Sequence, residues 1–335
     1  MSRLKTCLLA ILAMAVVVTF ASTAQAATIN VCPATSPSTG VISAAVATAA
    51  SGTTISLCPG VYFDDVVINQ EKVKVIGLGK SGDVQVICNT RFAAFTLQGY
   101  DDYVQNMKIS GCTFGVFIEG TLGGKDGVIR DNIFVNNIYG VAASQTTTAT
   151  VQANTFTNNV VAISDEGSTS SDFGSNTING GCSLTPAEFL GPTFVNTCNA
   201  YGIELEGASK ASVNSNHITQ VFAGVSLTNG TTGSKITNNK VWNTFEAFIM
   251  DQAGNNTVTG NEADTNGEGI QATFTTGQGS TNGTPNVIEN NKAQGNSLHD
   301  LWDQRTGTEA DGVGNKWHKN TCGATGSSPA SLCTD

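Results

Sequence analysis

Apolar residues return along this chain in phase with a recurring asparagine. Asn132, Asn154 and Asn176 stand 22 residues apart, and Asn216, Asn239, Asn261, Asn291 and Asn315 continue the series, with longer steps into Asn216 and Asn291. Three residues before an asparagine come Ile129, Val151, Phe173, Val213, Ile236, Val258 and Ile288. Two residues after it come Phe134, Phe156, Ile178, Ile218, Val241, Ala263, Ala293 and Trp317, and nine after it Val141, Ile163, Val225, Phe248 and Ile270. Each run is too short for a helix and rich in β-branched and aromatic residues, so each reads as a strand. Three strands per period predict a triangular coil, and coils stack by parallel pairing at ~4.8 Å each. One coil cannot bury its own apolar face, so the stack shares a continuous core.

The asparagine has a physical reason to recur. A tight bend favours a residue that tolerates the left-handed region, and Asn is next to Gly in that respect. Stacked amides can also hydrogen-bond from coil to coil. A weaker column, Asn137, Asn159, Asn266, Asn296 and Asn320, follows five residues behind. Regular coils are expected from about Gly115 to Trp302. Residues 27–60 read as an N-terminal cap: a strand (Thr28–Cys32), an Ala-rich helix over 41–50 that covers the open coil edge, then a strand and a Pro-Gly turn. Residues 312–335 read as the C-terminal cap, with Trp317 inward. The expectation is one all-β solenoid domain, 27–335, of about ten coils.

The N-terminus changes the compartment. Two early cations, an apolar run from Cys7 to Phe20 and Ala24-Gln25-Ala26 predict a signal peptide over 1–26 and a secreted or periplasmic product, free of the membrane after cleavage. Eight of the nine cysteines then remain, an even number in an exported chain. The expected pairs are Cys32–Cys58, Cys88–Cys112, Cys182–Cys198 and Cys322–Cys333. No Cys-x-x-Cys pair and only three His stand in the sequence, which argues against zinc. A net charge of −10 argues against nucleic acid as a partner. The expected protein is a monomer.

The segment Gly52–Tyr62, the Asn-centred coils and the Asn315–Cys333 ending resemble secreted right-handed parallel β-helix proteins of the pectin-lyase-like superfamily. The resemblance spans nearly all of the mature chain and speaks to fold more than to activity, because this architecture hosts lyases, hydrolases, esterases, epimerases and adhesins. It implies an extracellular polysaccharide as partner and a cleft along one sheet. That sheet should hold the strand about eight residues after each Asn. Alternation then gives two outward columns. The first is Phe117, Ala142, Ser164, Glu204, Ser226, Ile249, Gln271 and, after one extra residue, Trp302. The second is Glu119, Ser144, Glu166, Glu206, Thr228, Asp251 and Thr273.

Glu166, Glu204 and Glu206 are therefore the candidate catalytic cluster. Carboxylates that close should raise one pKa or hold a cation such as calcium between them. A raised acid beside an ionised carboxylate is the arrangement that glycosidases use. The alternative is ordinary acidic surface. An insertion from Gly180 to Asn199, pinned by Cys182–Cys198, enters the bend before Glu204 and should overhang it. Trp302, Asp251 and Gln271 are the candidate substrate contacts. Trp302 and Trp242 could stack on sugar rings, or simply pack at an edge. His299 and Asp300 are expected to form a polar bend and not a catalytic pair. The paired Asp, His-Gly and Arg-Ile-Lys motifs of polygalacturonases, the basic cleft residues of pectate lyases and the Asp-Pro-His of alginate epimerases are missing from these strands. Carboxylate-based hydrolysis is thus the expected chemistry if the protein is an enzyme, and no cofactor is called for. A non-catalytic surface or adhesion module is the other reading.

Overall fold

The computed structural model describes residues 26–33, 36–122, 125–182, 200–273, 284–304 and 314–333. The chain winds as a right-handed parallel β-solenoid of about 11 turns, one turn more than the period predicts. Its strands form three parallel sheets of 12, 12 and 11 strands. The first sheet runs from Thr28–Val31 to Lys316–His318, the second from Ser38–Thr39 to Thr321–Cys322, and the third from Val66–Ile68 to Ser327–Ser328. The expected leader falls outside the described residues save Ala26, as do Cys198 and nearly all of the 180–199 insertion.

Inward columns fill the triangle. Ile129, Val151 and Phe173 pair in register on the first sheet, and Phe134 stacks on Phe156 at 4.9 Å between ring centroids on the second. Burying one such side chain contributes about 1.5–3 kcal/mol, and the columns run the length of the stack. The helix Val41–Ala47 closes the N-terminal end with Ile42 and Val46 buried. It is shorter than predicted and has no side-chain cap of its own. Asp64, from the next coil, accepts from the Ile42 and Ser43 backbone N–H groups at 2.8 and 3.2 Å and takes the place of an N-cap. Disulfides join Cys32–Cys58, Cys88–Cys112 and Cys322–Cys333 as predicted, and Cys182 is also disulfide-bonded.

The asparagine column lies between the first and second sheets and is buried. Asn154 Oδ1 accepts the Asn132 backbone N–H at 2.9 Å; the same step repeats from Asn154 to Asn176, Asn216, Asn239, Asn261 and Asn291. Each Nδ2 also donates to a carbonyl of the preceding coil, as Asn154 does to Ile129. Two expectations fail here. First, the left-handed residue is not the ladder asparagine but the one before it: Asp131, Ala153, Ser175, Ser215 and Asn238 all have φ between 55° and 56°. The asparagine must keep its amide inside the bend, so the kink falls one position earlier, where many residue types serve. Second, Asn291 passes its bond to Asn320, not Asn315. Asn315 instead accepts from Asn286 at the corner between the third and first sheets. Trp317 accordingly pairs with Ile288 on the first sheet, and its Nε1 donates to Asp303 at 2.7 Å.

That corner carries a third ladder, built from mixed residues. Asp102 accepts from Val73, Ser171 from Ala149, Ser234 from Ala211, and Asn256, Asn286 and Asn315 follow. The ladder at the remaining corner runs Asn266, Asn296 and ends on Asp300. Asp300 is fully buried and accepts from Asn296 Nδ2, Gly323 and Gly326 at 2.8, 2.9 and 3.1 Å. It anchors the C-terminal cap and does not face His299.

Candidate functional site

The third sheet arranges both predicted outward columns in register. Ser164 pairs with Glu204, Glu204 with Ser226, Ser226 with Ile249, Ile249 with Gln271, and Gln271 with Trp302. Glu166 pairs with Glu206, Glu206 with Thr228, and Asp251 with Thr273. Glu166 and Glu206 thus lie on adjacent strands, ~4.8 Å apart at the backbone.

A third outward column was not visible in the sequence. Pairing on this sheet skips the second residue of each strand: Tyr139 pairs with Val161 and Val141 with Ile163, leaving Gly140 and Ala162 between them. Gly140 points inward, where a Cβ would come within 2.6 Å of both Ala162 O and the Phe156 ring. The local bulge turns the preceding residue outward. The column reads Phe114, Tyr139, Val161, Tyr201, Ala223, Glu246, Glu268 and His299. The small residue near the start of most of these strands, Gly or Ala, was the available signal, with Asp300 in its place in the last. Simple alternation discards it.

These columns together build a depression. Ala223 and Ser226 form its floor and are nearly closed to solvent. Tyr201 and Glu204 rise on one side, and Glu246 and Ile249 on the other, two coils away, ~10 Å between backbones. Phe222 stacks on Phe245 at 5.2 Å and meets Tyr201 edge-on at 5.7 Å, making an aromatic rim. Farther along, His299 Nδ1 lies 3.1 Å from Glu268 Oε2, and Trp302 stacks on the imidazole at 5.3 Å. Trp242 stands on the second sheet, beside His217, and shares nothing with this face.

The electrostatics divide the carboxylates. Burial, and then the charge of Glu206, pushes Glu204 up to about 7. Burial also raises Glu246, against the pull of the Gln271 amide and with the push of Glu268 and Asp251. It raises Glu268 against the pull of His299. Tyr201 is raised by burial and then by the charges of Glu204 and Glu246. Glu206, on the exposed edge, accepts from Asn229 Nδ2 at 2.5 Å. Gln271 is 1% exposed, and its Nε2 faces Glu246 without completing a hydrogen bond of full geometry. Among the described residues no three His, Cys, Asp or Glu side chains converge as metal ligands. A hollow of about 370 Å³ at the C-terminal end, lined by Thr321, Thr325 and Ser327 among others, lies away from this face.

The sequence matches the family described as right handed beta helix region over residues 38–178 and 179–325. No curated protein is significantly similar to it in sequence. Solved structures share the fold at low identity. The periplasmic alginate epimerase AlgG aligns with a TM-score of 0.55 and 15% identity over 82% of this chain and 73% of its own. An alginate lyase from Paenibacillus sp. str. FPU-7 aligns with a TM-score of 0.54 and 13% identity, over 90% and 96%. A tailspike protein mutant of E. coli bacteriophage HK620, in complex with a pentasaccharide, aligns with a TM-score of 0.56 and 10% identity, over 90% and 60%.

Proposed function

The chain belongs to the right-handed β-helix family, and from that premise we propose that its third sheet binds a polysaccharide lengthwise outside the cytoplasm. The observation that carries this reading is the depression floored by Ala223 and Ser226 between Tyr201–Glu204 and Glu246, with Phe222 and Phe245 along its rim. Aromatic faces and flanking carboxylates are what a sugar ring with many hydroxyls needs. Trp302, Asp251 and Gln271 extend the same face by further coils. The three solved structures named above are two alginate enzymes and a tailspike protein that holds a pentasaccharide, which supports a glycan as partner. The disulfides fit an oxidising compartment.

Hydrolysis is a second reading that Glu204 favours. A carboxyl lifted to about 7 keeps its proton in mildly acidic solution and can give it to a leaving-group oxygen. Glu206 lies two residues on along the strand, ~6.7 Å at the backbone, on the same face, so its carboxylate is available as the partner such a scheme needs. A panel of plant and bacterial oligosaccharides, assayed for binding and for new reducing ends, separates the readings. If hydrolysis occurs, Glu204→Gln should lower turnover about 100-fold or more. Wild-type activity should fall as pH rises through about 7, where the acid loses its proton. Turnover unchanged in both Glu204→Gln and Glu206→Gln excludes this catalytic assignment. Binding without products identifies a recognition module, and a panel that is never bound removes the polysaccharide reading.

A further inference from the structure

The third sheet carries carboxylates and no matching cations. Glu166, Glu204, Glu206, Glu246, Asp251 and Glu268 all face outward from it, and no Lys or Arg occurs in any of its described strands. The nearby cations stand elsewhere: Arg130 and Lys235 on the first sheet, Lys240 and Lys292 on the second, and Lys210 in the bend between the third sheet and the first. His299 is already engaged with Glu268.

The second sheet provides an internal comparison. There burial raises Glu262, but Lys240 and Lys292, at 3.3 and 3.4 Å, together outweigh it and hold the carboxyl low overall. On the third sheet the half-buried carboxyls go the other way, raised by burial and by one another. Removing carboxylates from water without a partner is costly. A bound cation would relieve that cost. Gln271 adds an independent sign of a ligand. Its Nε2 is enclosed, lies beside Glu246 and lacks a full hydrogen bond, so it is poised to donate to an oxygen such as a hydroxyl.

We propose, building on the polysaccharide reading, that the glycan this face accepts carries free amino groups in their protonated form and is not a uronate. A single metal ion fits less well. The Glu204 and Glu246 strands are ~10 Å apart, whereas calcium draws its oxygens to within about 2.6 Å. A charged group repeated along a chain matches carboxylates repeated along a stack. One saccharide unit is about as long as the ~4.8 Å rise per coil. The unit's hydroxyls supply the acceptor for Gln271, and its apolar face the contact for Tyr201 and Trp302.

Calorimetric titration of the full mature protein at about pH 6 and low salt tests this, with three probes: a glucosamine hexasaccharide, the same oligomer fully N-acetylated, and a uronate hexasaccharide. The free amine should bind at least about tenfold tighter than the acetylated form, and the uronate weakest. Glu204→Gln and Glu246→Gln should each reduce the preference for the amine to below about threefold, with a retained cooperative melting transition as evidence of folding. Binding of the amine should release protons as Glu204 ionises, read as heat that varies with the buffer, and Glu204→Gln should lose that release. Equal affinity for the amine and acetylated oligomers, or tighter binding of the uronate, overturns this proposal and leaves the polysaccharide reading in place. Failure of all three oligomers to bind overturns both.

Discussion

Asn216→Ala is expected to lower the unfolding free energy by about 3–5 kcal/mol, the largest effect of any single substitution considered. Asn216 sits in the middle of the longest ladder with no solvent exposure. Its Oδ1 accepts from the backbone N–H and Nδ2 of Asn176 at 2.9 and 3.0 Å. Its Nδ2 donates to Phe173 O at 2.8 Å and to Asn239 Oδ1 at 2.9 Å. Alanine leaves the Asn176 N–H buried without a partner, an orphan that costs about 1–3 kcal/mol, and also removes the side-chain bonds to the Phe173 carbonyl and to Asn239. Coils depend on their nearest neighbours, so the opening should spread to adjacent coils, Thr177–Asn179 and Tyr201–Glu206 among them. Thr177→Ala, an exposed side chain on the coil below, is the control and should cost less than about 0.5 kcal/mol. Urea unfolding checks the difference, and hydrogen exchange checks its location. Equal midpoints for the two variants would contradict a structural role for the ladder.

Asp165→Asn should stabilise the protein at neutral pH by an amount on the order of 1–3 kcal/mol. Asp165 lies between Ala143 and Leu205 on the inward side of the third sheet, completely buried. Burial raises its pKa; Ser168 and Ser171 lie beside it and pull the other way, yet neither carboxylate oxygen completes a hydrogen bond of full geometry. The folded state therefore holds the Asp165 proton to higher pH than the unfolded chain does. Its contribution to stability is complete below the unfolded value near 3.9 and is lost as pH rises from there through the raised folded value. Asparagine keeps the shape and cannot ionise. The gap in melting temperature between variant and wild type should be small near pH 4 and widen towards pH 7. A gap that stays constant with pH would show that Asp165 does not titrate in this way.

Much of the fold was legible because, from Asn132 onwards, one amide does the same work at one corner of each coil. The corner between the third and first sheets stayed hidden because Asp102, Ser171, Ser234 and Asn256 share that work, so no single letter repeats. Asn315 misled for the opposite reason. It follows Asn291 at nearly one period, but the coil that contains it is longer, and the register belongs to Asn320. At the candidate site, strict alternation placed Glu166, Glu204, Glu206, Gln271 and Trp302 on one face. It missed Tyr201, Glu246, Glu268 and His299 because a bulge at the start of each strand interrupts the period of two. The acidic cluster read from the sequence therefore lines only one side of a depression, whose other wall lies two coils farther on.

The central claim is that glycan meets the third sheet and no other, and two tryptophans test it most directly. Trp302 stands on that sheet, and Trp242 stands on the second, both partly exposed. The measurement is the dissociation constant of the best-bound oligosaccharide for the wild type, Trp302→Ala and Trp242→Ala. Binding along the third sheet requires Trp302→Ala to weaken affinity about tenfold, roughly 1.4 kcal/mol, and Trp242→Ala to leave it unchanged. Loss of binding in Trp242→Ala with Trp302→Ala unaffected would contradict the claim and move the site to the other face.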